Sequence, residues 1–175
     1  MVSTAKFFTL GKGKRKPIRL IVLHSAENQE LPGQAAHLVQ WFAGKTAPQA
    51  SAHYMVDNLK ILQSVDDADI SWHCNVWERN VESIGIELTG SASQTAAQWA
   101  DDYSKHVLAN ANVLCKSLMK KYSIPNIHLT PAQILDGKTK GFATHADITT
   151  AHAIAGGHTD PGKNFPLASF LKGLA

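Results

Sequence analysis

Hydrophobic and polar positions follow two different periods along this chain, and the changes of period mark its elements. Arg19-Leu20-Ile21-Val22-Leu23-His24 is an apolar run closed by a polar residue, which predicts a buried strand. From about Gly33 to Ala43, apolar Ala35, Leu38, Val39 and Phe42 recur at helical spacing and predict an amphipathic helix. Two strand-like runs follow, Ala52 to Val56 and Ile61 to Val65, joined by Asp57-Asn58-Leu59-Lys60 as a hairpin. Ser83-Ile84-Gly85-Ile86-Glu87-Leu88 predicts another short strand. The clearest helix is expected to start near Thr95, where Thr95 and Gln98 have capping-box spacing. Trp99, Tyr103, Val107, Ala111, Leu114, Leu118 and Tyr122 form its apolar stripe, read as core, and Pro125 ends it. The remainder reads as loop-rich up to a short terminal helix around Leu167 to Leu174. Strands interspersed with amphipathic helices imply an α/β fold, a central mixed sheet flanked by helices.

Composition narrows the class without naming a function. The chain has 175 residues, 44% hydrophobic and 18% charged, an ordinary globular balance with room for one substantial core. No internal repeat, low-complexity tract or linker divides it, so residues 1–175 are expected to form a single domain. No apolar run approaches the roughly 20 residues needed to cross a bilayer, so no membrane insertion is expected. Lys6, Lys12, Lys14, Arg15 and Lys16 make the N-terminus basic, but no apolar segment with a small-residue cleavage site follows them. A secretory signal is therefore not expected. The formal charge of +3 fits an anionic surface such as a cell wall, and equally a merely soluble face. No nucleic-acid motif accompanies it, so no nucleic-acid partner is expected. Cys74 and Cys115 form neither a disulfide framework nor a thiolate metal pattern and are expected to be reduced.

Nine histidines invite a metal hypothesis, but the count is weak evidence and position has to carry it. His24 closes a buried strand, His145 lies in Ala-Thr-His-Ala-Asp-Ile, and Asp160 lies in the rigid turn His-Thr-Asp-Pro-Gly. Two imidazoles and one carboxylate can hold a tetrahedral zinc and leave its fourth position open, the ligand count of a catalytic site. Their separation along the chain, with no helix uniting them, leaves the trio a candidate on spacing alone.

At this point the chain resembles a known family, the type 2 N-acetylmuramoyl-L-alanine amidases. These include phage lysozyme-type endolysins, bacterial anhydro-muropeptide amidases and animal peptidoglycan recognition proteins. The matching segments occur in family order: Ile-Val-Leu-His24, Ser-Ala-His53-Tyr, Ser-Trp72-His73, Asn75 or Asn80 before Ser-Ile-Gly-Ile-Glu87-Leu, Thr-His145-Ala-Asp-Ile, and His158-Thr-Asp160-Pro-Gly-Lys-Asn-Phe-Pro. They run from about Lys6 to the C-terminus, and the opening segments look most like phage endolysin catalytic domains. The resemblance implies His24, His145 and Asp160 as ligands of Zn2+, and Glu87 as the group acting on the attacking water. Two residues before the last ligand, relatives often carry a lysine that stabilises the transition state; here that position is His158. The stretch between His145 and Asp160 looks longer than in compact bacterial relatives, which makes His152 a rival ligand. His53, Trp72 and His73 are expected to line the cleft against substrate, or to orient a ligand. Asp147 is expected to fix the local turn, and Glu27 to be a solvated loop residue.

The function so implied is zinc-dependent hydrolysis of the lactyl–L-alanine amide of bacterial peptidoglycan, by a monomer that serves as a phage endolysin catalytic domain. Such an enzyme would stay in the host cytoplasm until release to the cell wall. Two alternatives remain open: a non-catalytic peptidoglycan-binding module, and a zinc peptidase acting within the stem peptide.

Overall fold

The computed structural model describes residues 3–175. In chain order the elements are β1 (Phe8–Thr9), β2 (Leu20–Ser25), α1 (Gln34–Ala43), β3 (Tyr54–Val56), β4 (Ile61–Gln63), β5 (Ile70–Ser71), α2 (Trp77–Asn80) and β6 (Ser83–Leu88). A 3₁₀ turn (Gln98–Ala100), α3 (Asp102–Tyr122), α4 (Pro131–Leu135), β7 (Gly141–Thr144), α5 (His145–Ala151) and α6 (Leu167–Lys172) complete it. Five strands form one sheet in the order β4-β3-β6-β2-β7, parallel except for β4, so the sheet is mixed as expected. β1 and β5 pair separately as a small antiparallel ribbon.

Alternation along the strands sorts the two faces. Ile21 and Leu23 of β2, Ile84, Ile86 and Leu88 of β6, and Phe142 of β7 point into the largest core cluster. There they meet Val107, Ala111, Leu114 and Leu118 of α3, with Phe170 of α6. The opposite face is covered by two smaller clusters. Leu20, Val22 and Ala143 pack with Ile134 and Ile148 of α4 and α5, while Met55 packs with Ala35, Leu38 and Phe42 of α1. Ser83, Gly85 and Glu87 lie on this second face of β6, and His24 lies there on β2. Between the two clusters a polar strip crosses the sheet.

The hairpin forms where its pattern predicts it, because Asp57 fixes the turn: its Oδ1 accepts from the backbone of Leu59 and Lys60 at 2.8 and 2.7 Å. Its other oxygen accepts from Ala35 N, so the same carboxylate seats the first turn of α1.

Two expectations need correction. The long helix does not start near Thr95. Thr95 and Gln98 do make the reciprocal capping contacts, but these open only the single 3₁₀ turn. The chain is then extended at Asp101 (ψ 174°), whose carboxylate accepts from Ser104 N at 2.8 Å and starts α3 afresh. Nor is the segment after Pro125 mainly loop. It supplies α4 and α5, both with capping boxes (Thr130 with Gln133, Thr144 with Asp147), and β7, which pairs with β2.

Candidate functional site

The residues that carry the chemistry meet at the C-terminal ends of the parallel strands, where a sheet of this kind presents side chains to a crevice. His24 is paired in register with Glu87 across β2 and β6. Leu23 pairs with Thr144, so His145, one residue on, stands beside His24 at the other flank. Asp160 is brought in from the final loop by Ala146 N, which donates to the Asp160 carbonyl at 3.0 Å. Gly162 fixes that loop: its φ is +93°, and a Cβ there would lie 2.0 Å from the Ala92 carbonyl oxygen.

The three predicted ligands converge. His24 Nδ1 lies 3.0 Å from Asp160 Oδ2, and His145 Nδ1 lies 3.1 Å from Asp160 Oδ1. One donor atom from each falls within 4.8 Å of the others, and all three side chains are buried. Burial tends to raise the Asp160 carboxyl, but its close contacts with the His145 and His24 rings outweigh it and hold the group far below the usual carboxylate range. Burial, followed by the neighbouring His24, lowers His145 despite the opposing Asp160. Two imidazoles around an ionised carboxylate are the donor chemistry of a divalent cation site, and the set fits zinc.

Glu87 faces the same cleft. Its Oε2 is enclosed and has no hydrogen-bond partner among the described residues. Burial, and then the negative charges of Asp160 and Glu27, push its carboxyl well above the ordinary range. His158 stacks on His145 with ring centroids 4.1 Å apart, and its Nδ1 lies 3.4 Å from Asp160 Oδ1. Its side chain remains 54% exposed, open to a ligand. Burial and His145 lower its pKa from the usual imidazole value.

Trp72 and His73 line the cleft, which encloses about 290 Å³. His73 does more than line it: Nδ1 lies 3.0 Å from His24 Nε2, and Nε2 lies 2.8 Å from Ser83 Oγ. Gly85 makes room for this ring, since a Cβ there would come within 2.5 Å of His73 Cγ. Asn80 Oδ1 accepts from the backbone of both His73 and Cys74, which explains the asparagine before the strand. The His145 ring in turn hydrogen-bonds the Cys74 backbone, so residues 73 and 74 support both imidazoles.

His53 does not come to the cleft. It is fully buried, with Nδ1 accepting from Gly85 N at 3.0 Å and lying 2.7 Å from Ser71 Oγ, and Nε2 3.3 Å from the Asp69 carbonyl. Burial and the nearby Arg15 charge lower its pKa to about 3. Its neighbours make it a brace between β6 and the β5 region. His152 caps the C-terminal end of α5, outside the ligand cluster. Asp147 fixes the start of α5 as expected, accepting from Thr144 N and Oγ1 at 2.7 Å. Glu27 is exposed but not merely solvated: it accepts from Ser25, Ser91 and Ala92 and ties the loop after β2 to the loop after β6.

Sequence reasoning missed the aromatic wall. Trp41 is 45% exposed and lines the cleft beside Phe42 and Pro48. The signal was present, because Trp41 falls off the Ala35–Leu38–Phe42 stripe of its helix and has no core to fill.

A family profile described as N-acetylmuramoyl-L-alanine amidase matches residues 14–163. No curated protein sequence matches the chain. Among solved structures, a selenomethionine derivative of AmpD aligns with a TM-score of 0.68 at 18% identity, covering 100% of this chain and 93% of that one. The catalytic domain of XlyA gives 0.62 at 21% identity, covering 99% and 98%. A mutant endolysin from Bacillus subtilis gives 0.58 at 23%, with 100% of each chain covered. At these identities the likeness is one of fold.

Proposed function

This chain belongs to the N-acetylmuramoyl-L-alanine amidase family, and on that premise we propose that it is a zinc-dependent hydrolase of the amide between the lactyl group of peptidoglycan and the first alanine of the stem peptide. The observation that carries the reading is the convergence of His24 and His145 Nδ1 on the two oxygens of Asp160, beside the unpartnered Glu87 oxygen. His24, His145 and Asp160 would hold the metal. When bound, zinc supplies Lewis-acid polarisation of the scissile carbonyl and lowers the pKa of an attacking water from ~15.7 toward ~7.

The protein's own groups do the rest. Glu87 accepts the proton of the attacking water and passes it to the departing alanine nitrogen, a transfer favoured by its raised pKa. His158, exposed on the open side of His145, donates a hydrogen bond to the oxyanion as the carbonyl becomes tetrahedral. Trp72 and His73 belong to the cleft, with Trp72 oriented by Nε1 donating to Thr9 Oγ1 at 2.9 Å. His53 acts only indirectly, through its contacts with Gly85 N and Ser71.

The described residues would act as one catalytic domain and as a monomer. The endolysin among the structures of like fold supports a lytic role: the enzyme stays in the host cytoplasm and reaches the wall once the membrane is opened. Among the described residues no helix is long and apolar enough to cross a membrane.

Mass spectrometry of purified peptidoglycan, digested with and without a chelator, tests the proposal. Stem peptides with a free N-terminal alanine, intact glycan strands and loss of both products' release on chelation are expected. Cleavage inside the peptide would identify a zinc peptidase instead. Sedimentation with the wall and no release would identify a binding module.

A further inference from the structure

Behind His24 runs a chain of hydrogen bonds whose direction is fixed at its far end. Ser83 Oγ lies 2.7 Å from the Arg79 carbonyl oxygen. A carbonyl oxygen only accepts, so the single hydroxyl proton of Ser83 is committed to it. Ser83 Oγ therefore has only lone pairs to offer His73 Nε2 at 2.8 Å, and that nitrogen must carry the proton. In a neutral imidazole the other nitrogen is then an acceptor. His73 Nδ1 faces His24 Nε2 at 3.0 Å, so the proton in that contact belongs to His24. His24 Nδ1 is left to face Asp160 Oδ2 at 3.0 Å. Two lone pairs at that separation repel unless a cation or proton lies between them.

We propose that His73, backed by Ser83 and the Arg79 carbonyl, is a positioning residue that holds the proton on His24 Nε2 and so reserves His24 Nδ1 as a cation donor. The reversed chain would leave two oxygens, Ser83 Oγ and Arg79 O, 2.7 Å apart with no proton between them. The strand pattern builds the relay. Ser83, Gly85 and Glu87 alternate on one face of β6, giving in turn the hydroxyl, the gap that admits the His73 ring, and the carboxylate. Partners of this kind orient metal-bound histidines and raise their basicity, and their loss typically costs about 10- to 100-fold in metal affinity. The proposal rests on His24 being a zinc ligand, but its first test needs neither metal nor substrate.

Long-range ¹H–¹⁵N spectra of histidine-labelled, metal-free protein at pH 8 read the proton positions directly. The expected result is a proton on Nε2 of both His24 and His73, and none on His73 Nδ1. A proton on His73 Nδ1, or an unprotonated His24 Nε2, would overturn the proposal. Zinc dissociation constants from chelator competition supply the second readout. Ser83→Ala should weaken zinc about 10- to 100-fold, and Ser83→Thr, which keeps the hydroxyl, should restore most of that loss. Unchanged affinity in Ser83→Ala would also overturn the proposal, and a thermal melt of the metal-free variant confirms that a folded protein is being compared. If the protons sit as proposed but the unsubstituted protein binds no zinc, the relay stands and the zinc-amidase reading falls.

Discussion

His24 and Glu87 occupy the same rung of the sheet, paired in parallel register on β2 and β6, with both side chains directed to the cleft face. This rung sets a proposed metal ligand and a proposed proton acceptor side by side on two buried central strands. Their roles should separate on substitution. His24→Ala should lose zinc and activity together, as measured by metal analysis and by release of N-terminal alanine. Glu87→Gln should keep its zinc while kcat falls about 10²- to 10⁴-fold. Full activity in Glu87→Gln would refute the assigned proton transfer.

Gly85→Ala should act on the site without touching any reacting group. The added methyl meets His73 Cγ at 2.5 Å, and the contact is with a buried ring that has little room to retreat. Overpacking of this kind costs about 1–3 kcal/mol. Here it should also displace the partner of His24, so zinc affinity should fall along with the melting temperature. A variant with a lower melting temperature and unaltered zinc affinity would count against the link.

Trp41→Ala should affect binding rather than folding. The side chain is half exposed on the cleft wall and stands off the buried stripe of α1. A rise in KM with kcat nearly unchanged is expected, the signature of lost uniform binding. Stability should stay within about 0.5 kcal/mol of the parent by thermal melting. A fall in kcat at constant KM would place Trp41 in the chemistry instead.

His53 should make the fold acid-sensitive. In the unfolded chain an imidazole takes up a proton below pH ~6.5, whereas burial and then the Arg15 charge keep folded His53 neutral down to about 3. Between those values the unfolded state binds more protons, so stability falls as pH falls through the window. Thermal midpoints measured from pH 7 to 4 should drop, and His53→Asn should drop less steeply. Parallel slopes for the two proteins would show that the acid sensitivity lies elsewhere.

How much of this was legible in the sequence depended on the range of the interactions involved. The strand Ser83–Leu88 and the helix over Gln34–Ala43 follow from their own periodicity, because each buries one face against a partner that any apolar surface can provide. Thr95 and Gln98 misled for the same local reason. Their capping contacts are real, but Asp101 competes for the role of helix start and prevails, since its extended backbone breaks the chain from one helical turn to the next. β7 escaped notice because Gly141–Thr144 is only four residues, all buried, and a run so short has no period to read. It is a strand only because β2 lies beside it.

The sequence by itself determined the types of the periodic elements, the mixed α/β layering and the residue kinds available for a metal site, since those are set by side-chain chemistry and spacing within a few residues. Tertiary structure decided which of nine histidines meet. His24, His145 and Asp160 are distant in the chain and come within ligand distance only through strand register and the loop held by Gly162. It also separated His73 from His53, which look alike in sequence. One ring lies over Gly85 against His24; the other lies on the same face, opposite Gly85 on the neighbouring strand, buried with its nitrogens turned to Gly85, Ser71 and Asp69. A side chain's local sequence does not encode which neighbours the sheet will bring against it. That depends on the pleat of β6, where a shift of a single residue would turn Ser83, Gly85 and Glu87 away from the cleft.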